Sequence, residues 1–177
     1  MIGRPQKSEA TPYYLTYIDR VTGDDPVSAL ENQVESSLEF FCGITEETSL
    51  RRYAAGKWSI RQTLHHITDT ERVFAFRGLW FARGFQTTLP GYDQNIAVAN
   101  GGADDILWSA HVEEFRRVRL STISLFRNLP QEGWTRTGIA DGNSFTVRAL
   151  AFIIAGYLAH HIAVLRERYL LADSIQV

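Results

Sequence analysis

Apolar residues recur along most of the chain at the three- and four-residue spacing of an α-helix. The first such stretch predicts a helix over roughly residues 26–43, with Pro26 as a suitable first helical residue. The apolar positions that define its buried face are Leu30, Val34, Leu38 and Phe41. No segment shows a series with the two-residue period of a half-buried strand. The pattern therefore predicts an all-helical protein.

A second, longer helix is bounded by clear start and stop signals. Ser59 followed three residues later by Gln62 forms a capping box, and Arg83 followed by Gly84 is typical of a helix end. The helix between these signals is about 24 residues long. Residues 85–102 contain a Pro-Gly turn and a Gly-Gly pair, so we expect a long crossover that can hold one short helical turn.

Two further long helices complete the pattern. The third is expected from about residue 104 to residue 129, where it must end before Pro130. A polar, glycine-containing link follows, and Thr146 can cap a fourth helix over about residues 147–171. The segment preceding the first long helix, "TPYYLTYIDRV", can form an additional short helix.

Four long helices, with a long crossover between the second and the third, predict a four-helix bundle in which the crossover lets two sequential helices lie parallel. The 177 residues are expected to form a single domain spanning 1–177, since one domain of this size can bury a substantial core. In such bundles, metal sites are built from side chains on facing helices. The placement of the histidines is therefore the main clue to function.

Composition favours a protein of the cytoplasm. The formal net charge of −2 gives no overall attraction to nucleic acid or acidic lipid. The single cysteine, Cys42, excludes an intramolecular disulfide and is expected to be buried. The N-terminus lacks the apolar core of a signal peptide, and the most apolar window, residues 149–165, is interrupted by two histidines and is expected to fall short of a membrane span. We therefore expect neither a membrane nor a nucleic acid as a partner.

Four of the five histidines form two adjacent pairs, His65 with His66 and His160 with His161. Adjacent helical residues point about 100° apart, so only one member of each pair can reach a common point between two helices. Tyr157 lies four residues before His161 and shares its face. Imidazole ligands suit zinc, nickel, copper or iron, and a catalytic zinc site typically has three protein ligands. The spacing supplies two histidines and Tyr157.

Three segments, taken together, resemble the DinB/YfiT-like superfamily. They are "GKWSIRQTLHHITDTERVFAFRGLWFARG", "LPGYDQN" and "VRALAFIIAGYLAHHIAVLRERYL", and the resemblance covers about residues 25–172. It implies a four-helix bundle in an up-down-down-up arrangement, often dimeric. It also implies a divalent metal such as zinc or nickel, bound by one histidine of the second helix and an H-x-x-x-H pair of the last. Known members include metal-dependent hydrolase-like proteins and S-transferases that use low-molecular-weight thiols.

Under this resemblance, His66 matches the histidine of the second helix and His161 matches the second histidine of the last helix. Tyr157 stands where the first histidine of that pair is expected. Three alternatives follow: Tyr157 binds the metal as a phenolate, Asp69 turns in from one helical turn along, or the metal has been lost and a polar pocket retained. His160 can replace the missing ligand only if the last helix is rotated or its neighbour moves.

The leading functional hypothesis is a metal-dependent enzyme acting on a small molecule. A divalent ion at His66 and His161 would lower the pKa of a water molecule or of a thiol, which supports either hydrolysis or S-transfer. Asp69 is the candidate catalytic residue, with orientation of His66 as its alternative role. A pocket for a thiol substrate's carboxylates would use Arg77 or Arg148. The alternative is a non-catalytic homodimer with a degenerate metal site that binds a small ligand or a partner.

Several charged or polar residues are expected to have no part in the chemistry. His111 is predicted to be solvated near the start of the third helix. The arginines at 116, 117 and 119 are predicted to form a solvated helix face. Glu71 is the exception, since it is expected either to pair with an arginine such as Arg72 or Arg168 or to act in the chemistry. The sequence lacks glycine-rich phosphate-binding loops and the H-E-x-x-H pattern of zinc proteases.

Overall fold

The computed structural model describes residues 2–170, and most of this part of the chain is helical. The elements are α1 (Pro12–Ile18), α2 (Pro26–Cys42), α3 (Glu46–Ser49), α4 (Ile60–Ala82), α5 (Gln94–Asn100), α6 (Trp108–Arg127), β1 (Thr137–Ala140), β2 (Asn143–Thr146) and α7 (Val147–Val164). Turns of 3-10 helix cover Lys7–Glu9, Ala103–Asp105 and Gln131–Thr135, and a π-helical segment, Leu165–Leu170, continues α7. The predicted end of the fourth helix, at residue 171, lies outside the described residues.

The four long helices pack as a closed ring. Helix α4 lies against α6 and α7, and α2 lies against the same two helices. Helix α1 covers part of α7 from outside this ring. Each long helix therefore has two neighbours, and side chains that point in different directions from one helix meet different partners.

Helix α7 forms the centre of the core. Its residues 149–155 are at most 2% exposed. Together with its π-helical extension, this helix is 24 residues long, and its most apolar 18-residue window has a mean hydropathy of 1.6. By those measures it is long and apolar enough to cross a membrane. The expectation that it falls short of that length is therefore wrong. Because 61% of its most apolar window is buried inside the fold, the apolar character is accounted for by core packing.

The predicted helix boundaries are confirmed where the signals are local. Ser59 and Gln62 form the expected capping box at the start of α4. Arg83 ends this helix, and Gly84 follows with φ +84°, a conformation that glycine adopts without steric cost. The Thr146 side chain accepts a hydrogen bond from the backbone N–H of Ala149 and so caps α7. Residues 94–100 form the short helix expected in the crossover.

Helix α6 begins at Trp108 rather than near residue 104. The guanidinium of the buried Arg61 donates to the backbone carbonyls of Asp104 at 3.0 Å and Ile106 at 2.7 Å. These two carbonyls therefore accept from a side chain, and the segment before Trp108 does not continue the helix. The first N–H of α6, that of Trp108, is instead capped by the Glu46 carboxylate at 2.9 Å. A contact with a distant residue therefore shifts the start of the helix.

The prediction of an all-helical protein is wrong in the link between α6 and α7. Strands β1 and β2 pair in antiparallel register, with Thr137 opposite Thr146. Asp141 and Gly142 form the turn, and both have positive φ, 53° and 70°. An Asp-Gly turn of this kind is the favoured connection of a two-residue hairpin. The fold is thus a mostly helical bundle with one small hairpin.

A buried ion pair joins the long helices near the middle of the bundle. Arg119 of α6 is 1% exposed and donates to both carboxylate oxygens of Glu71 on α4, at 2.8 to 3.1 Å. The same guanidinium donates to the side chain of Gln33 on α2 at 3.0 Å. Gln33 in turn donates to the Ala155 carbonyl of α7 at 2.9 Å. The prediction of a solvated Arg119 is therefore wrong. The predicted pairing of Glu71 with an arginine is confirmed, but the partner is Arg119 rather than Arg72 or Arg168.

The single cysteine is also placed differently from the expectation. Cys42 is the last residue of α2 and is exposed, so its predicted burial is wrong. The buried face of this helix is provided by Leu30 and Phe41, both 0% exposed. Cys42 directly follows Phe41, and adjacent helical residues point about 100° apart, which directs the thiol away from the core.

Candidate metal centre and adjoining pocket

The structure brings His66, Tyr157 and His161 into mutual contact. Helices α4 and α7 pack side by side, so His66 Nε2 lies 2.5 Å from the Tyr157 hydroxyl. The His66 and His161 ring centroids are 5.4 Å apart, and those of Tyr157 and His161 are 4.6 Å apart. One member of each histidine pair therefore reaches a shared point, as the helical geometry predicts.

Both imidazoles of this centre are held neutral. Burial lowers the pKa of His66 to about 4. Burial also lowers the pKa of His161 to about 3, and the nearby His66 and His160 add to this effect. A neutral imidazole is the form that binds a metal ion, because a protonated ring has no free lone pair.

Hydrogen bonds indicate how the His66 ring is oriented. Its Nδ1 lies 3.4 Å from the Thr70 hydroxyl, one helical turn along α4. A proton on Nδ1 lets this nitrogen donate to Thr70 while Nε2 accepts from the Tyr157 hydroxyl. Nε2 is therefore the nitrogen that faces Tyr157 and His161.

Tyr157 decides how well this centre fits a divalent metal. Its side chain is 8% exposed, and burial raises its pKa well above the usual range, although a hydrogen bond with Thr70 opposes this shift. The group is therefore a neutral phenol unless a bound cation removes its proton. Two neutral imidazoles and a phenol fit a transition metal in donor type, and their ring centroids lie 4.6–5.7 Å apart. The phenol is the weakest of the three ligands.

The two other candidates for completing the centre have different partners. Asp69 lies 3.3 Å from His65 Nε2 and accepts a hydrogen bond from Arg72 at 3.1 Å. His160 packs edge-on against Tyr17, with ring centroids 5.4 Å apart. The catalytic role of Asp69 and the ligand roles of the three centre residues stay predictions.

A cavity of about 80 Å³ opens beside this centre. His66 and Tyr157 form part of its wall, so a molecule in the cavity would touch two of the three centre residues. The other residues around it are mostly aromatic or polar, and they are Tyr13, Tyr14, Thr70, Val73, Phe74, Arg77, Tyr92, Gln94 and Asp141. They come from α1, α4, the crossover and the hairpin turn, which together form the mouth of the pocket.

Arg77 is the cation of this pocket. It is 4% exposed and donates to the Pro90 carbonyl at 3.0 Å. Burial lowers its pKa, and the neighbouring Tyr14 and Asp141 oppose that shift. Arg148, the other arginine considered for substrate carboxylates, forms an ion pair with Glu9 instead. Of the two, Arg77 is therefore the one that lines the pocket.

A second polar cluster lies on the side of α4 that faces α6. His65, His111 and Glu114 each place one potential ligand atom within 4.8 Å of those of the other two. His111 is 1% exposed, so the prediction of a solvated residue is wrong. The sequence did carry a signal for its burial, since His111 precedes the fully buried Phe115 by four residues on the inner face of α6.

Comparisons with known proteins place this fold in a family. The sequence matches the family model of the DinB superfamily over residues 29–165, which is more than half of the chain. No curated protein sequence matches it. Among solved structures, the chain is similar to YfiT from Bacillus subtilis, described as a probable metal-dependent hydrolase with an unusual four-helix bundle topology. The TM-score is 0.70 at 18% sequence identity, over 92% of this chain and 89% of YfiT, which shows a shared fold. The family indicated by the motifs is thus confirmed, and the chain belongs to the DinB superfamily.

Proposed function

We propose that the protein is a metal-dependent enzyme that acts on a small molecule in the pocket beside His66 and Tyr157. One observation carries the proposal: two neutral imidazoles and a phenol from α4 and α7 meet beside a cavity whose wall includes His66 and Tyr157. His66, His161 and Tyr157 would hold a divalent transition metal such as zinc or nickel. The description of YfiT as a probable metal-dependent hydrolase supports this assignment.

The bound metal would act as a Lewis acid, lowering the pKa of a water molecule or a thiol so that it can attack a substrate at neutral pH. The chain's own residues would position the substrate. Arg77 offers a buried positive charge to a carboxylate or phosphate group, and the ring of Tyr14 packs against the same pocket. Hydrolysis is our first choice of reaction, with thiol S-transfer as the alternative at the same centre.

Three further properties belong to this proposal. We infer the up-down-down-up helix order and the homodimer from membership of the superfamily. We place the protein in the cytoplasm, in agreement with its single, unpaired cysteine. Nucleic acid and membrane are not proposed as partners, because the net charge of −2 provides no general attraction to either polyanion.

One observation favours a second candidate function, a non-catalytic bundle that binds a small ligand. His66 Nε2, the nitrogen that a metal would need, is already in hydrogen-bond contact with the Tyr157 hydroxyl. This contact satisfies both groups without an ion. A pocket of the same shape would then bind a ligand through aromatic packing and Arg77 alone.

Elemental analysis of the purified, untagged protein separates these two functions. The enzyme proposal expects wild type to contain close to one equivalent of zinc or nickel more than His66→Ala and His161→Ala do. Tyr157→Phe should weaken metal retention, and Tyr157→His should strengthen it, because a third imidazole replaces a phenol that must lose a proton. His160→Ala is the matched control, since His160 faces Tyr17, and it should keep the metal.

The opposite pattern would support the ligand-binding candidate. A native protein that takes up no more zinc or nickel than His66→Ala does, and that gains a further equivalent only on Tyr157→His, would show that the centre is closed by the histidine–tyrosine contact. A metal content that is the same in wild type, His66→Ala and His161→Ala would place the ion elsewhere in the protein and contradict the proposed centre.

A further inference from the structure

His65 has a buried ring nitrogen without a hydrogen-bond partner. Its Nε2 lies 3.3 Å from an Asp69 carboxylate oxygen, which assigns the Nε2 proton to that contact. Nδ1 of the same ring is buried and has no partner among the described residues. Buried polar atoms are nearly always paired in folded proteins, so an unpaired one indicates a missing ion, water molecule or ligand.

His111 faces His65 with the same arrangement of its ring. It is 1% exposed, and its Nε2 lies 2.9 Å from the Ala103 carbonyl. A carbonyl only accepts, so Nε2 donates and the lone pair is left on Nδ1. The two rings stand edge to face, with centroids 5.5 Å apart. Both histidines therefore have one nitrogen fixed by an acceptor and the other available.

Glu114 adds a carboxylate to this pair. It lies one helical turn after His111 on α6, and its Oε1 accepts from Arg72 at 2.6 Å. The second oxygen, Oε2, is left for another partner. Arg72 also donates to Asp69, so one arginine contacts both carboxylates next to the histidines.

We propose that His65, His111 and Glu114 bind a divalent transition metal of the zinc type, at a second site separate from the centre at His66. Nitrogen and oxygen ligands of these kinds bind zinc at about 2.0–2.2 Å. A histidine that binds a metal usually donates its other N–H to a carboxylate or a backbone carbonyl. Here the Asp69 carboxylate and the Ala103 carbonyl provide those two acceptors. Asp69 is then a positioning residue for His65.

Binding requires a modest closure of the three side chains. Their potential ligand atoms lie within 4.8 Å of one another, whereas ligands around a tetrahedral zinc ion lie roughly 3.4 Å apart, a spacing set by the bond lengths. Glu114 can provide much of this movement, because its side chain is long and 37% exposed. The ion would link α4 to α6 and leave room for one water molecule as a fourth ligand.

The two metal sites use different helix contacts and can be tested apart. His65 faces α6, whereas the neighbouring His66 faces α7. A His66→Ala/His161→Ala double variant therefore removes the first centre and leaves every ligand of the second. Failure of the proposed function would leave this site intact, and the reverse also holds.

The decisive experiment is a zinc titration of metal-stripped, untagged protein, with competition against a chelator of known affinity. The double variant should still bind one equivalent of zinc. Adding Glu114→Gln, which keeps the shape but removes the charge, should weaken binding at least about 10-fold. Asp69→Asn should weaken it by about 10- to 100-fold, as expected for a residue that orients a ligand. His160→Ala serves as the matched imidazole control and should leave the affinity unchanged.

Nitrogen-15 spectra of the histidine side chains in the wild-type protein provide a measurement that does not depend on the variants folding. Zinc should shift Nδ1 of His65 and His111, and Asp69→Asn should alter the tautomer signals of His65. A zinc titration that moves only His66 and His161, or a zinc affinity that Glu114→Gln does not change, would overturn the proposal. An absence of zinc binding to wild type and double variant alike would also overturn it.

Discussion

Replacing Arg119 with methionine tests whether the buried ion pair holds the four long helices together. The side chains of Arg119 and Glu71 are 1% and 2% exposed, and three hydrogen bonds of 2.8–3.1 Å join them. Arg119→Met keeps an unbranched chain of similar width but removes the guanidinium. The Glu71 carboxylate is then left buried without its partner, and Gln33 loses a donor.

The expected cost is large on the scale of a domain. Removing one member of a buried ion pair typically costs about 3–5 kcal/mol, compared with a total stability of about 5–15 kcal/mol. Replacing both members with apolar residues is often close to neutral. The double variant Glu71→Leu/Arg119→Met should therefore be more stable than Arg119→Met alone, by roughly 2 kcal/mol or more.

Urea unfolding followed by circular dichroism measures these differences from the midpoint and slope of each transition. Arg116→Met is the matched control, because Arg116 lies on the same helix, pairs with the exposed Glu113 and should leave the midpoint unchanged. The reasoning fails if Arg119→Met moves the midpoint no further than this control does. It also fails if the effects of Glu71→Leu and Arg119→Met simply add.

Two other substitutions test contacts that position α7. Gly156→Ala should destabilise the protein by about 1–3 kcal/mol, since the added Cβ would lie 1.9 Å from the Tyr17 backbone carbonyl oxygen. Thermal unfolding measures the loss, with Gly43→Ala as the control. An unfolding temperature that Gly156→Ala leaves unchanged would contradict the prediction. The Glu9 carboxylate accepts hydrogen bonds from Arg148 and Thr146. Burial raises the pKa of Glu9, but hydrogen bonds from Arg148, the Gln6 backbone and Thr146 outweigh burial and lower this pKa overall. A lowered folded-state pKa means that Glu9 stabilises the fold above its ordinary value of 4.5, and that this stabilisation is lost as the pH falls through the folded-state value. Glu9→Gln should therefore cost about 1 kcal/mol at pH 7, with the difference from wild type vanishing in acid; a difference that is independent of pH in urea unfolding would contradict this assignment.

Local signals in the sequence predicted the helices well, whereas contacts between helices were predicted poorly. The capping box at Ser59 acts within one turn, so its effect is readable without the fold. The start of α6 is set by Arg61, more than forty residues away in the chain. The hairpin was predictable in part, since Asp141 and Gly142 are a strong turn signal, but strands of four residues are too short to show a clear two-residue period.

The candidate site also shows which features can be predicted from local sequence and which depend on contacts between helices. His66, Tyr157 and His161 were found because helical geometry selects one residue of each pair and the family motif supplies the pairing of helices. His111 and Arg119 were assigned to solvent because of their polarity. Their spacing indicated otherwise, since both lie four residues from Phe115, which is 0% exposed. Position on the apolar face of the helix predicts burial of these two residues better than their polarity does, because a buried charge is tolerated where another helix provides a partner.

The ring arrangement of the helices gives a physical reason for the paired histidines. Each long helix has two neighbours, and adjacent residues point about 100° apart, so one pair can serve two interfaces at once. On α4, His66 meets Tyr157 of α7 while His65 meets His111 of α6. Each histidine of a pair therefore lies in a different environment, and the role of one does not explain the role of the other. At His65 that environment contains an unpaired nitrogen, a second imidazole and a carboxylate, which is why we treat it as a separate metal site.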